Sequence, residues 1–146
     1  MRLNPHVDDR ESLAMLCNQL AWTLASGPAS TRDPARALEL ARHAVELTPD
    51  QAIYLNTLGV AQYRAGRYAE AIATLERSTT ADHGEYSGYD LFFQAMAHWR
   101  LGDKPRALAC FDKAVGWMEQ KRRADEELIR FRAEAAALLN VKEKTN

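Results

Sequence analysis

The chain has 146 residues, of which 47% are hydrophobic and 27% charged, a composition that suits one packed domain. Its 19 basic and 20 acidic residues leave a net charge of −1, so no global field attracts nucleic acid or an anionic membrane surface. The sequence contains no apolar run long enough for a membrane span and no signal-peptide pattern at its start. The two cysteines have no partner motif, which is typical of a reducing compartment, so we expect a cytoplasmic protein.

The first predicted unit covers about residues 13–49 and contains two helical patterns. Its first helix reads LAMLCNQLAWTLAS, and its second helix lies within RDPARALELARHA. Asp33 ahead of Pro34 predicts an N-cap followed by a proline in the first turn. Pro49 predicts the end of the second helix, because proline cannot continue it.

The second and third predicted units cover about residues 52–85 and 88–121. In both units a glycine, Gly66 or Gly102, separates two amphipathic helices and supplies the positive φ that a tight turn needs. Ser87, with Asp90 three residues later, predicts an N-cap pair at the start of the third unit.

One pattern recurs in all three units. When RDPARALELARHA, GRYAEAIATLERS and GDKPRALACFDKA are aligned, Ala37, Ala71 and Ala107 coincide at spacings of 34 and 36 residues. Self-similarity at this period is typical of stacked helical hairpins. Gly59 lies inside a predicted helix, where glycine costs about 1 kcal/mol relative to alanine. We therefore expect Gly59 to let the second helix of its unit approach closely, with Ala71 facing it.

A further helix is predicted over about residues 123–140, with polar tails at 1–7 and 141–146, all within a single domain spanning 1–146. Its apolar residues form one stripe, made of Leu128, Phe131, Ala135 and Leu138, and three charged residues lie off that stripe: Glu127, Arg130 and Glu134. A stack of repeats needs such a two-faced helix at its end. We expect the stripe to cover the apolar back of the third unit, and Trp117 to pack against this helix.

The second unit resembles the tetratricopeptide repeat through a set of residues at the family's spacings: Leu58-Gly59, Gly66, Tyr68, Ala71 and Leu75. The resemblance extends over roughly residues 13–119. It implies an all-α fold, a right-handed superhelix of three helical hairpins plus a C-terminal capping helix, seven helices in all. More narrowly, NTLGVAQYRAGRY, AMAHWRLGD and FRAEAAALL resemble a repeat module of bacterial multidomain proteins, where it often follows a Ser/Thr kinase or WD40 region.

The sequence favours recognition over catalysis. It contains no phosphate-binding glycine loop and no metal-ligand spacing, so we predict no enzyme activity, no cofactor and no metal site. The family resemblance implies a non-catalytic protein–protein interaction scaffold whose first helices line a concave groove. The residues assigned to that groove are Trp22, Ile53, Asn56, Val60, Tyr63, Arg64, Tyr89, Phe92, Met96, Trp99 and Arg100, and the first unit also contributes Met15 and Asn18 beside Trp22. For Phe92 and Met96, a place in the core is predicted equally well.

The expected partner is a protein or peptide, with no nucleic acid and no membrane. Some family members hold a C-terminal carboxylate with basic residues, but here the corresponding third-unit positions hold Tyr89 and Phe93. We therefore expect apolar or aromatic anchors in the partner, and no acidic tail. The alternative hypothesis is a homo-oligomerisation or spacer module of a larger bacterial signalling protein.

Overall fold

The computed structural model describes residues 5–143, with side chains from residue 9 onward. In this part of the chain all regular structure is helical, which confirms the predicted all-α fold of helical hairpins with a final helix. The seven α-helices pair as α1–α2, α3–α4 and α5–α6, and α7 follows alone. Their bounds are α1 Pro5–Ser26, α2 Pro34–Leu47, α3 Ala52–Arg64, α4 Tyr68–Ala81, α5 Ser87–Arg100, α6 Lys104–Lys121 and α7 Glu126–Leu139; a short 3-10 turn covers Ala29–Thr31.

The helix ends follow local chemistry. The Asp33 carboxylate accepts a hydrogen bond from the Arg36 amide, which caps α2 as predicted. Asp103 does the same for α6. Gly66 and Gly102 have φ values of 80° and 85°, so both turns need the left-handed conformation that glycine adopts without strain.

Gly59 marks a close approach between α3 and α4, as expected, but the residue facing it is Leu75. A β-carbon at Gly59 would lie 2.5 Å from Leu75 Cδ2, far inside van der Waals contact. The expectation that Ala71 faces the glycine was therefore wrong. It assumed that a small residue would lie opposite the glycine, whereas the missing side chain of Gly59 makes room for the larger Leu75.

The described structure extends into both of the expected tails. Helix α1 already includes Pro5, so the expected tail over residues 1–7 is shorter; residues 1–4 lie outside the described part. At the other end, the Val141 amide bonds to the Ala136 carbonyl at 2.9 Å. The Arg132 guanidinium also donates to the Glu143 carboxylate at 2.8 Å, so the expected tail over 141–146 is tied down as far as Glu143. Residues 144–146 lie outside the described part.

The core joins the third hairpin to α7. Phe92 and Met96 of α5 are fully buried, and the Phe93 ring lies 4.8 Å from that of Phe131 in α7. Trp117, which was expected to pack against α7, lies against α5. It covers the start of α5, where a β-carbon at Gly88 would lie 2.5 Å from the Trp117 ring. No helix within residues 5–143 is both long and apolar enough to span a membrane.

Helix α7 folds back over the first helices of the hairpins. The surface that α1, α3 and α5 share on this side of the molecule, of which α7 covers only a part, is called the inner face below. Phe131 packs against Phe93 of α5 and, edge-on at 5.8 Å, against Trp22 of α1. Helix α7 therefore packs on both helices of the third hairpin, as predicted, and it also reaches α1. Its buried stripe also ends at Leu139, because Leu138 is only half-buried.

Candidate functional site

One half of the inner face is sealed by α7. Arg64, at the end of α3, makes two parallel hydrogen bonds to the Glu134 carboxylate, one of them 2.8 Å long. Its Nε donates to the Ala25 carbonyl at 2.9 Å, so the guanidinium ties α1, α3 and α7 together. The Arg64 side chain is only 7% exposed and is not free to bind a partner. Glu134, placed by sequence off the apolar stripe, is the residue that holds it.

The other half of the inner face remains open as a cleft of about 520 Å³. It lies between α1, the first turns of α3 and α5, and the start of α7. Ring and amide side chains dominate its lining, which includes Asn18, Trp22, Ile53, Asn56, Tyr86 and Tyr89. Ile53 is 64% exposed and Tyr86 is 43% exposed, an unusual exposure for large apolar groups that face a concavity.

A buried carboxylate lies in the wall of this cleft. Asp90 accepts hydrogen bonds from Asn56 Nδ2 and Thr79 Oγ1, each 2.8 Å long, and is 1% exposed. Burial raises the pKa of Asp90 to about 6, although its hydrogen bonds act in the opposite direction. Asp90 therefore links α5 to α3 and α4. The predicted capping pair with Ser87 was wrong, because the Ser87 hydroxyl donates to the Gly84 carbonyl instead.

The start of α7 forms a second wall of the cleft. The Trp22 indole N–H donates to the Glu127 carboxylate at 3.1 Å, and the Tyr89 hydroxyl donates to Asp125. Burial and this bond to Asp125 raise the pKa of Tyr89. The pKa of Asp125 is lowered: burial opposes the shift, but hydrogen bonds from Tyr89 and the Leu128 amide outweigh it. The two rings are therefore held in fixed orientations by α7.

Two further polar groups belong to the lining, and one of them has an atom without a hydrogen-bond partner. The Oδ1 atom of Asn18 is buried without a hydrogen-bond partner. Arg122 lines the cleft and places its guanidinium 5.6 Å from the Tyr86 ring centroid. An unsatisfied buried acceptor costs free energy, so a donor that reached Asn18 would be favoured.

The cleft brings together four of the residues assigned to the groove from sequence, Trp22, Ile53, Asn56 and Tyr89, and also Asn18. Four other assigned residues are buried and do not present side chains on an open surface: Val60, Tyr63, Phe92 and Met96. For Val60 and Tyr63 the expectation of an exposed binding residue was wrong, whereas for Phe92 and Met96 the alternative prediction, a place in the core, is confirmed.

The physical reason differs among the buried residues. Phe92 turns toward α6, where its ring packs 5.9 Å from that of Phe111. Tyr63 packs against α4 and α5, with ring centroids 5.5 Å from Tyr68 and 5.6 Å from Phe93. Val60 and Met96 are core residues of the stacked hairpins. A stripe at helical spacing cannot distinguish a face open to solvent from one that another helix covers.

Two further assigned residues lie away from the cleft. Trp99 is half-buried near the end of α5, with the Lys104 ammonium 5.1 Å from its ring centroid. Arg100, the last residue of α5, is exposed and lies next to the Tyr63 hydroxyl, which raises the pKa of Arg100. Neither residue lines the cleft.

Sequence reasoning missed several residues of the lining. Tyr86 and Arg122 lie in the segments that connect helices, and Glu127 was placed off the contact stripe of α7. Asp90 was interpreted as a local cap. Its position in the first turn of a helix rich in aromatic side chains was an available signal that it serves a tertiary contact.

The arrangement is suited to holding a side chain of a partner. Rings, an exposed isoleucine and fixed polar groups converge on one concavity, as they do in binding sites. Among the described side chains, no group of three or more histidine, cysteine or carboxylate residues is placed to hold a metal ion.

Comparison with known families points the same way. The tetratricopeptide repeat family model matches residues 29–86, which include α2, α3 and α4. The match supports a chain that contains tetratricopeptide repeats. Such repeats generally mediate protein–protein interactions and are typically not catalytic. No curated protein matches the chain.

Proposed function

We propose that this protein is a non-catalytic interaction module that binds a segment of a protein partner in the cleft beside α7. It serves as a scaffold component in the cytoplasm. The observation that carries the proposal is the open cleft itself. In the half of the inner face that α7 covers, the side chains contact one another. In the open cleft, by contrast, Ile53 and Tyr86 line a space of about 520 Å³.

The cleft has the size and residue types of a recognition site. Its volume falls in the range of roughly 300–1,000 Å³ that is common for sites holding a ligand or a few side chains. Tyrosine and tryptophan contribute much of the binding energy at protein interfaces, because their rings bury a large area and lose little conformational freedom. Since Trp22 and Tyr89 are already held by α7, their ordering adds little further entropic cost on binding.

A matched pair of isoleucines tests the site. Peptides that bind the full chain would be selected from a displayed random library, and their affinities measured for Ile53→Ser and Ile129→Ser. Both isoleucines are exposed, at 64% and 48%, but only Ile53 lines the cleft. We expect Ile53→Ser to weaken binding about tenfold, from the apolar contact that it loses. Ile129→Ser should leave binding unchanged. Equal affinities for both variants would place the binding surface elsewhere.

A second candidate function is association with another copy of the chain, as expected of a homo-oligomerisation or spacer module in a larger bacterial signalling protein. The observation favouring it is a stripe on α1. Leu13, Leu16 and Leu20 follow helical spacing and are 44%, 54% and 55% exposed. This stripe lies on the first hairpin, which has no hairpin before it within the described residues.

Light scattering separates the second candidate from the first. Association through α1 predicts a dimer for the full chain and a monomer for Leu16→Glu. The matched control is Leu108→Glu on α6, where the leucine is 41% exposed. A monomeric full chain would remove the second candidate and leave the cleft proposal intact.

A further inference from the structure

The charges around the cleft are unbalanced. Three acidic residues line it from different elements: Asp90 from α5, Glu127 from α7, and Asp82 just after α4. Arg122 is the one cationic residue in its described lining. Just outside, Arg130 lies 3.9 Å from Glu127, and Asp125 carries a further negative charge. Four carboxylates thus face two guanidinium groups, which leaves an excess of negative charge.

Aromatic faces accompany these carboxylates. Trp22, Tyr86 and Tyr89 all line the cleft. The Arg122 guanidinium already lies over the Tyr86 ring, 5.6 Å from its centroid, so a cation of this shape fits against the lining. Rings combined with carboxylates attract cations, because the ring faces and the carboxylates both carry negative potential.

We propose that the cleft selects a partner segment that inserts an arginine or lysine side chain between these rings and carboxylates. The inference rests on the proposed function and names the chemistry of its partner. The aliphatic stem of the inserted residue packs on Ile53, and its charged end lies near Glu127 and Asp82. Long basic side chains suit such a site, since their methylene groups are apolar and only their ends need polar partners.

Asn18 supports a ligand rich in donors. Its Oδ1 is buried and has no hydrogen-bond partner. Rotation about its terminal torsion, which is soft, would turn this oxygen toward the cleft. Ammonium and guanidinium groups carry donors and no acceptor, so they satisfy carbonyl and carboxylate oxygens together. An acidic side chain in the same place would face Glu127 and Asp82 at close range.

Short peptides test the choice of residue directly. The probes are N-acetyl-Leu-X-Leu-amide peptides with arginine, lysine, norleucine or glutamate at X, titrated into the full chain and followed by two-dimensional NMR. The Trp22 indole N–H and the Asn18 and Asn56 side-chain amides report on the cleft. We expect the arginine and lysine peptides to bind about tenfold more tightly than the norleucine peptide, with the glutamate peptide weakest.

Two variants with opposite expected signs test the electrostatic origin of the selectivity. Glu127→Gln keeps an acceptor for Trp22 but removes a charge, so it should reduce the preference for arginine over norleucine several-fold. Arg122→Ala removes a competing cation, so it should tighten binding of the arginine peptide. The control, Glu76→Gln on the exposed face of α4, should change neither value. A purely structural effect would not tighten binding in one variant and loosen it in the other.

Each contrary outcome has a distinct meaning. Equal affinity for the norleucine and arginine peptides, with shifts at Trp22, would overturn the cation proposal and leave the cleft as a binding site. If the arginine peptide causes no shift at Trp22, the cation proposal also falls. The proposed function is then judged separately, by whether library-selected peptides lose affinity in Ile53→Ser and keep it in Ile129→Ser.

Discussion

The two halves of the inner face are built from the same three helices, but α7 covers one half and leaves the other open as a cleft. In the sealed half, Phe131 of α7 packs on Phe93, and Glu134 of α7 pairs with Arg64. In the open half, Ile53 and Tyr89 line a cleft. Helix α7 has 14 residues and is about 21 Å long; its first turn borders the cleft through Glu127, while Phe131 and Glu134 farther along contact the sealed half. The position of one helix thus divides a repeated surface into core and site.

This difference separates two kinds of substitution. Changes in the sealed half should act on the free energy of unfolding, because they leave cavities or unpaired charges. Changes at exposed side chains of the open half should act on binding and leave stability nearly intact, whereas Asp90, buried in the wall of the cleft, should act on stability. The four predictions below test this division.

Removing residues 122–146 should have the largest effect. The truncation exposes Phe93 and leaves Arg64 without its carboxylate partner, while deleting the buried Leu128 and Phe131. Each fully buried apolar side chain contributes about 1.5–3 kcal/mol, so the loss rivals the stability of a small domain. We expect aggregation and a loss of cooperative unfolding, measured by light scattering and circular dichroism. A soluble monomer with native helicity would show that α7 is dispensable to the core.

Glu134→Ala should be next in size. It leaves the Arg64 guanidinium, whose side chain is 7% exposed, without its main partner. Breaking a buried ion pair from one side typically costs 3–5 kcal/mol; since Glu134 is 31% exposed, we expect about 3 kcal/mol. Urea unfolding measures this change in the free energy of unfolding. The matched control is Glu70→Ala, whose carboxylate pairs with Arg42 and Arg67 at the surface and should matter by less than about 0.5 kcal/mol.

Asp90→Asn should change how stability depends on pH. The pKa of Asp90 is raised from 3.8 to about 6 in the fold, so the folded state holds this proton more tightly than the unfolded chain. The resulting stabilisation is complete below about pH 4 and is lost as the pH rises to about 6. Asparagine does not titrate and keeps the bond from Asn56, while Thr79 can accept from its amide. The variant should not lose stability over this pH range. At pH 7 its free energy of unfolding should exceed that of the parent chain by at most about 3 kcal/mol.

The comparison for Asp90 is made between unfolding free energies measured from pH 4 to pH 7. Asp112→Asn, an exposed acid on α6, serves as the control and should follow the profile of the parent chain. If Asp90→Asn were equally destabilising at every pH, the carboxylate would contribute through its hydrogen bonds alone, and its burial would not impose a charge penalty.

Tyr86→Ala should have the smallest effect on stability. The residue is 43% exposed and lies at the mouth of the cleft, so thermal unfolding should shift by an amount equivalent to about 0.5 kcal/mol or less. The same substitution should weaken binding of the arginine peptide measurably, since it removes one ring from the lining. A large loss of stability would mean that the open half is also part of the core.

Much of the local structure could be predicted because its causes are local. Asp33 and Asp103 cap the helices that they precede, and Gly66 and Gly102 adopt the turn conformation that their positions require. The close approach at Gly59 was also predictable, although the identity of its neighbour was not. Two residues on separate helices can exchange roles as neighbours with only a small change in helix rotation, which spacing along the chain does not record.

The site was only partly predictable for a different reason. Asn56 and Tyr89 were found because the first helices of repeated hairpins share one face. Tyr86, Arg122 and Glu127 were not, because they enter the cleft from connecting segments and from α7. The position of Glu127 depends on where α7 packs. Tyr63, an expected binding residue, is buried because its ring packs against Tyr68 of α4 and Phe93 of α5.

By itself, the sequence determined the helices, their turns and their pairing into repeated hairpins, because these depend on periodicity, capping and glycine conformation within a few residues of chain. Only the tertiary structure decided which part of the inner face stays open. An apolar stripe such as that of α7 carries the same hydrophobic free energy against either side of the third hairpin. Two contacts between distant residues, Arg64 with Glu134 and Trp22 with Glu127, select the inner side. These partners are 70 and 105 residues apart in the chain, beyond the reach of any local pattern.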